Sequence, residues 1–189
     1  STDWTVITTT PANATGYDDT GLIAATTYYY RVRATSDVGD SEESAVASAT
    51  TLSSLPAPWV DADVGTSAVA GGAGYSAAAG GTFTLNGSGT NIGDAADGFH
   101  FAYVPMTGDC AIIAQVATLQ NTDPAAQAGV MIRESLAPDA QFVDLVQSGA
   151  NGACFQWRKT ADGSAPLSVN DSLLRAPHWL KLARRFATI

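Results

Sequence analysis

The sequence predicts an all-β protein in two parts, and three observations support that prediction. Short runs alternate between apolar and polar residues, and Gly, Asn, Asp and Pro separate these runs at intervals of about 8–14 residues. No apolar stripe with the period of a helix extends far enough to form one. This pattern is typical of β-sandwiches and jelly rolls, and 46% apolar residues in a chain of 189 suffice for a hydrophobic core.

The composition argues against two classes of partner. Eighteen acidic residues against nine Lys and Arg residues give a net charge of −9, which repels the phosphate backbone of nucleic acids. The only lysines are Lys159 and Lys181, too few for a polybasic patch that would bind anionic lipid. No apolar run approaches the roughly 18 residues that span a bilayer. We therefore expect neither nucleic-acid binding nor membrane insertion.

Residues 1–51 are predicted to hold three or four short strands and no helix. The run from Trp4 to Ile7 begins the series, residues 28–34 alternate strictly, and residues 43–51 end it. Residues 52–58 contain paired serines followed by two prolines, a composition that favours an extended linker.

Residues 59–189 are predicted to form the larger β-structure. The stretch 65–81 is rich in Gly, Ala and Ser, and we interpret it as loop with at most one strand. The predicted strands are residues 83–85, 99–104, 110–119, 129–133, 142–146, 154–159 and 179–183.

The run from Gly21 to Ala34 resembles the E–F region of a fibronectin type III domain. In that family a leucine lies six residues before the tyrosine of the tyrosine corner, as Leu22 lies before Tyr28. The resemblance covers residues 1–51 and implies that the Tyr28 phenol hydrogen-bonds to the E–F loop backbone. It also implies that residues 38–41 form the F–G turn and residues 46–51 form strand G.

A complete domain of this family needs seven strands over about 90–100 residues. The first strands of that pattern are missing, so we expect a partial domain whose sheet edge is open to unwanted pairing. The inner-face side chains that should be left partly uncovered are Trp4, Ile7, Tyr30 and Val32.

The second part resembles the concanavalin A-like lectin/glucanase superfamily, in particular the laminin-G-like jelly rolls of large secreted bacterial proteins. Ala96-Asp-Gly-Phe-His-Phe, Asn121-Thr-Asp-Pro, Ala128-Gly-Val-Met-Ile-Arg and Trp179-Leu-Lys-Leu-Ala-Arg carry the resemblance, which covers roughly residues 57–185. It implies a β-sandwich over residues 59–189 that is incomplete at its C-terminal end. We therefore expect a fragment of a multidomain protein that is secreted or displayed at the cell surface.

Alternation with a period of two sorts the predicted strands into two faces. The apolar set, expected to form the core between sheets, comprises Phe99, Phe101, Tyr103, Val130, Ile132, Val143, Leu145, Phe155 and Trp157. The polar set, which could share one face and hydrogen-bond to sugar hydroxyls, comprises His100, Arg133, Asp144, Gln156 and Arg158.

Each polar residue also has an ordinary structural interpretation. Arg133 and Asp144 on neighbouring strands could form a cross-strand ion pair. Gln156 and Arg158 could be solvated surface residues, and His100 could be a structural histidine.

Cys110 and Cys154 lie 44 positions apart in strand-like runs. No C-x-x-C pair is present, which excludes zinc ribbons and thioredoxin-type redox chemistry. A disulfide between them and two buried free thiols both remain open at this stage.

No catalytic residues are predicted. Enzymes of the glucanase branch carry closely spaced carboxylates, whereas Glu134 is the only glutamate in the second part. No metal ligands or cofactor are predicted either, although a calcium site remains open because acidic extracellular β-sandwiches often carry one. The oxygen ligands concerned are Asp61, Asp63, Asp94, Asp97, Asn121 and Asp123.

The sequence thus predicts a non-catalytic module that binds a polysaccharide or cell-surface glycan, carried on a fibronectin type III spacer. Two alternatives stay open. One is a glycoside hydrolase-type module that would require Glu134, and the other is a purely structural stalk or adhesion segment.

Overall fold

A computed structural model describes residues 3–78, 80–92, 95–161 and 167–185. The all-β prediction is confirmed, because these ranges contain only strands, turns and loops, and no helix. The chain divides into two compact units, Ser1–Ser54 and Leu55–Ile189. The division falls inside the predicted linker, residues 52–58.

Four short strands lie within residues 3–54, the part of the first unit that the structure describes. They are β1 (Thr27–Tyr30), β2 (Thr35–Ser36), β3 (Gly39–Asp40) and β4 (Ala47–Thr50). Strand β1 pairs with β4 and β2 pairs with β3, both antiparallel. The prediction of a strand from Trp4 to Ile7 was wrong, since no strand forms in this segment.

Serine hydroxyl groups bridge the gap between the two ladders. The backbone N–H of Val32 donates to Ser44 Oγ at 3.1 Å, and that of Ala34 donates to Ser41 Oγ at 2.9 Å. The backbone N–H groups of the same serines donate back to the carbonyls of Val32 and Ala34. The hydrogen bonds of these two serines therefore take the place of ladder hydrogen bonds between the pairs β1–β4 and β2–β3. They keep the two pairs in register with each other.

Apolar side chains of the first unit remain uncovered, as the partial-domain interpretation predicts. The exposed fractions are 38% for Trp4, 53% for Ile7 and 72% for Val32. Tyr30 is half-buried, and its hydroxyl donates a hydrogen bond to Asp19 Oδ2 at 3.0 Å.

The phenol of Tyr28 forms the hydrogen bond that the sequence resemblance implied. The backbone N–H of Ile23 donates to Tyr28 Oη at 2.9 Å, across five residues. This bond ties the loop that precedes β1 to the strand itself.

We expect Tyr28→Phe to destabilise this corner by about 1 kcal/mol, because an ordinary hydrogen bond contributes about that much. Amide hydrogen exchange should show faster exchange at Ile23 in the variant. Tyr29→Phe is the control, since Tyr29 is exposed on the other face of β1. Equal exchange rates at Ile23 in both variants would contradict the prediction.

The described residues of the second unit contain ten strands, all paired antiparallel. They are β5 (Val60–Val64), β6 (Gly72–Ser76), β7 (Thr82–Asn86), β8 (Phe99–Tyr103), β9 (Cys110–Val116), β10 (Gln127–Arg133), β11 (Phe142–Ser148), β12 (Gly152–Arg158), β13 (Leu167–Asp171) and β14 (His178–Arg184). Strands β10, β11, β12 and β13 form a four-stranded sheet in that order. The pairs β5–β8, β6–β7 and β9–β14 form two-stranded sheets.

The predicted strands of this unit correspond to β7–β12 and β14. Strands β5 and β13 were missed, and β6 lies in the stretch interpreted mainly as loop. Strand β5 alternates Val and Ala with Asp, and β6 is built largely from Gly and Ala, so both have few of the β-branched and aromatic residues that identify a strand.

The hydrophobic core lies between β9–β14 and the four-stranded sheet. Its buried centre comprises Val116, Val130, Leu180 and Leu182, and the half-buried Ile132, Val143 and Leu145 pack against it. These residues come from β9, β14, β10 and β11. For β10 and β11, the face predicted from alternation to be apolar therefore does form core.

Candidate functional site

Four of the five predicted polar residues meet on one face of the four-stranded sheet, and His100 lies elsewhere. Asp144 on β11 lies directly opposite Gln156 on β12, and Phe142 separates Arg133 from Arg158 in the same register. This face is not open to solvent. Asp144 is 0% exposed, Arg158 3% and Gln156 5%.

A fifth residue, Asp97 in the loop before β8, organises this face. Its Oδ1 accepts a hydrogen bond from Arg158 Nη2 at 2.7 Å, and its Oδ2 accepts one from Arg158 Nη1 at 3.0 Å. Arg133 Nη1 donates to the same Oδ2 at 3.3 Å. One buried carboxylate thus binds two guanidinium groups, one of them in a bidentate manner.

The loop of residues 135–140 supplies the remaining hydrogen-bond acceptors. Arg158 donates to the carbonyls of Pro138 and Ala140 at 3.2 and 3.1 Å. Arg133 donates to the carbonyls of Ser135 and Ala137 at 2.5 and 2.6 Å. Both guanidinium groups are therefore fixed by the protein itself.

Two of the structural interpretations were wrong in detail. Gln156 and Arg158 are buried, not solvated, and Asp97 and the carbonyls of the 135–140 loop contact Arg158 directly. The ion pair of Arg133 is with Asp97, whose carboxylate reaches it from outside the sheet, and not with Asp144. As placed here, these side chains stabilise the sheet and cannot contact a sugar without loop movement.

Asp144 is the unusual member of this face. Neither of its carboxylate oxygens has a hydrogen bond of good geometry among the described residues, although the Gln156 side chain and backbone lie close enough to favour its ionised form. Burial, reinforced by the negative charge of Asp97, raises the pKa of Asp144 from 3.8 to about 8. The neighbouring Gln156 amide and the Arg133 charge oppose that increase only in part. At neutral pH this carboxyl group is mainly protonated.

His100 lies between two aspartates of β5. Its Nδ1 is 2.8 Å from Asp63 Oδ1, and its Nε2 is 3.1 Å from Asp61 Oδ2. The hydrogen bond from His100, together with one from the Gly71 N–H, lowers the pKa of Asp63. A Cβ on Gly71 would lie 2.3 Å from the His100 ring, so the close packing requires glycine there. This arrangement favours the structural interpretation of His100.

Four of the six oxygen ligands considered for calcium have other partners. Asp61 and Asp63 face His100, Asp97 binds the two arginines, and Asp123 Oδ1 accepts the Ala125 N–H at 2.7 Å. Asp94 lies outside the described residues. No three His, Cys, Asp or Glu side chains converge as a metal ion would require in the part of the chain that the structure describes.

Of the two alternatives left open for the cysteines, the structure has the free thiols: Cys110 is half-buried, Cys154 is buried, and neither forms a disulfide. Cys154 is buried, and burial raises the pKa of its thiol. Glu134, the carboxylate required by the hydrolase alternative, is exposed at the end of β10.

The outer face of β9–β14, opposite the core, carries a surface that the sequence reasoning missed. Trp179 is 65% exposed and lies directly across from Gln115. The next pair on this face, Lys181 and Ile113, is also exposed. We call this surface the Trp179 face. It was predictable in principle, because the alternation that buries Leu180 and Leu182 places Trp179 and Lys181 outward.

Beyond Lys181 the Trp179 face continues into a shallow depression of about 250 Å³. Its lining includes Asp109, Ala111, Lys181, Ala183, Arg184 and Arg185. Arg184 is held in place because its Nε and Nη2 donate to the carbonyls of Gly108 and Met106 at 2.8 and 3.1 Å.

No known protein family, curated protein or solved structure matches this chain. Among the described residues, no helix is long and apolar enough to cross a membrane.

Proposed function

We propose that this chain is a non-catalytic module that binds a polysaccharide or cell-surface glycan through the Trp179 face. The observation that carries the proposal is the exposed indole of Trp179 on a rigid strand, beside the Gln115 amide. An aromatic ring offers an apolar plane for the C–H face of a pyranose, and an amide offers both a donor and an acceptor for its hydroxyl groups.

The fold of strands β9 and β14 supports this role. Leu180 and Leu182 fix the inner face of β14 in the core, so Trp179 is presented without a flexible loop. Sites on strands hold their side chains more precisely than sites on loops. A single face of this kind binds weakly, and several copies in one larger protein would raise the affinity by multivalency.

We further propose that the first unit is a fibronectin type III spacer and that the second is a concanavalin A-like β-sandwich. The Ile23–Tyr28 hydrogen bond supports the first assignment. A core between two layers of antiparallel strands supports the second. On these resemblances we place the protein outside the cell or on its surface, as part of a multidomain chain.

Trp179→Ala is expected to weaken retention on an insoluble glycan about tenfold or more, because it removes the stacking plane. The 189-residue chain would be tested by pull-down on a panel of insoluble polysaccharides, with released sugar measured in the same tubes. Tyr29→Ala is the control, since Tyr29 is an equally exposed aromatic residue, 62%, in the other unit.

Loss of retention in Trp179→Ala but not in Tyr29→Ala would support the proposal. Equal retention of both variants would contradict it. Release of sugar that Glu134→Gln abolishes would instead favour the hydrolase alternative.

A further inference from the structure

We propose that the glycan bound by the Trp179 face is acidic, and that Lys181 and Arg185 bind its carboxylate groups. This inference rests on the proposed glycan-binding function and adds the chemical class of the ligand. It is carried by the charge and shape of the depression at the Arg184 end of β14.

The depression is lined mainly by basic residues, whereas the whole chain carries a negative net charge. The protein carries a net charge of −9, yet three of its nine Lys and Arg residues line this one depression, together with a single carboxylate, Asp109. Lys181 is one of only two lysines in the sequence. A local positive site on an acidic protein selects for anionic ligand groups.

Most other basic residues of the described chain are already engaged. Arg31 and Arg33 pair with Glu43 and Asp40. Arg133 and Arg158 pair with Asp97. By contrast, neither Lys181 nor Arg185 forms an ion pair within the described residues, and both are exposed.

The geometry links this charge to the stacking plane. Trp179 and Lys181 point to the same side of β14, and two residues of a strand span about 7 Å. A sugar ring stacked on the indole therefore brings its own substituents, or those of the adjoining ring, to Lys181. Ala111 and Ala183, the small side chains in the same lining, leave room for a carboxylate to enter.

The test compares glycans that differ only in charge. Retention of the full chain would be measured on immobilised polygalacturonate and its methyl ester, and on carboxylated and native cellulose. We expect acidic forms to bind about fivefold or more tightly than their neutral counterparts, as one or two exposed charge pairs allow. This preference should disappear at about 1 M NaCl, where the Debye length falls to about 3 Å.

The double variant Lys181→Gln/Arg185→Gln should reduce the ratio of acidic to neutral retention to about one. Lys159→Gln is the matched control, because Lys159 is the other lysine and is exposed away from this face. Far-ultraviolet circular dichroism would verify that each variant is folded.

Equal retention of the acidic and neutral forms by the wild-type chain would overturn the inference while leaving the proposed function intact. A charge preference that survives in the double variant would overturn the assignment to Lys181 and Arg185. Retention on none of the four materials would overturn both proposals.

Discussion

Asp97→Asn is expected to lower the free energy of unfolding of the second unit by about 3–5 kcal/mol, the range found when one partner of a buried ion pair is removed. The carboxylate is fully buried and accepts three hydrogen bonds from Arg133 and Arg158. An asparagine would turn an NH₂ group towards a guanidinium and leave two buried positive charges without a counterion. Such a loss is a large part of the 5–15 kcal/mol that stabilises a typical domain.

Urea unfolding followed by tryptophan fluorescence would measure the change, because three of the four tryptophans, Trp59, Trp157 and Trp179, lie in the second unit. Asp139→Asn is the control, because Asp139 lies in the loop whose carbonyls cap Arg158 and forms no ion pair among the described residues. It removes the same charge from nearly the same place. A midpoint shift of similar size in both variants would show that the Asp97 contacts contribute little.

Asp144→Asn is expected to raise the free energy of unfolding of the second unit, by an amount that depends on pH. Because burial raises the pKa of Asp144 to about 8, the native state holds a proton there that the unfolded state releases near pH 4. Between these two pH values the native state binds more protons, so stability falls as pH rises. The slope is at most about 1.4 kcal/mol per pH unit. Below pH 4 Asp144 is protonated in both the native and the unfolded state, so it no longer lowers the stability of the native state.

Asparagine stays neutral throughout, so the variant should match the wild type near pH 4 and be more stable by several kcal/mol near pH 8. Unfolding in urea at a series of pH values between 4 and 8 would test this, with Asp139→Asn again as the control. All other ionisable groups are common to both proteins and cancel in the difference. Parallel profiles for wild type and Asp144→Asn would refute the raised pKa.

The core was largely predictable from alternation. Val130, Ile132, Val143 and Leu145 were assigned to one face by their spacing, and they pack against Leu180 and Leu182. The rule works because a strand places every second side chain on the same side. The alternation rule does not show whether other segments of the chain bury a given face of the sheet. The burial of individual side chains was therefore predicted less completely.

Strand β12 shows this limit. Its apolar residue Phe155 is 37% exposed, whereas its polar neighbours Gln156 and Arg158 are buried. The inversion arises because Asp97 and residues 135–140 cover the polar face, and these segments are distant in sequence from β12. Nothing in the local pattern around Arg158 indicates which acidic residue it binds. Asp97 itself had been considered only as a calcium ligand.

The candidate binding site could have been predicted more fully. The sequence from Trp179 to Arg184 carries the outward Trp179 and Lys181 and the inward leucines in strict alternation. The local sequence does not show which strand pairs with β14. Only pairing with β9 brings Gln115 opposite Trp179, and it places Asp109 and Ala111 in the depression around Lys181.

The Asp97 contacts also bear on how fast the second unit folds. Asp97 lies 36 residues from Arg133 and 61 from Arg158, so its carboxylate reaches them only after two long chain segments have closed. Loop closure of this kind raises contact order and slows folding. Until it is complete, water solvates the guanidinium groups and the sheet gains nothing from them. We therefore expect the Asp97 contacts to form late in folding. Contacts of this kind slow unfolding more than they speed folding.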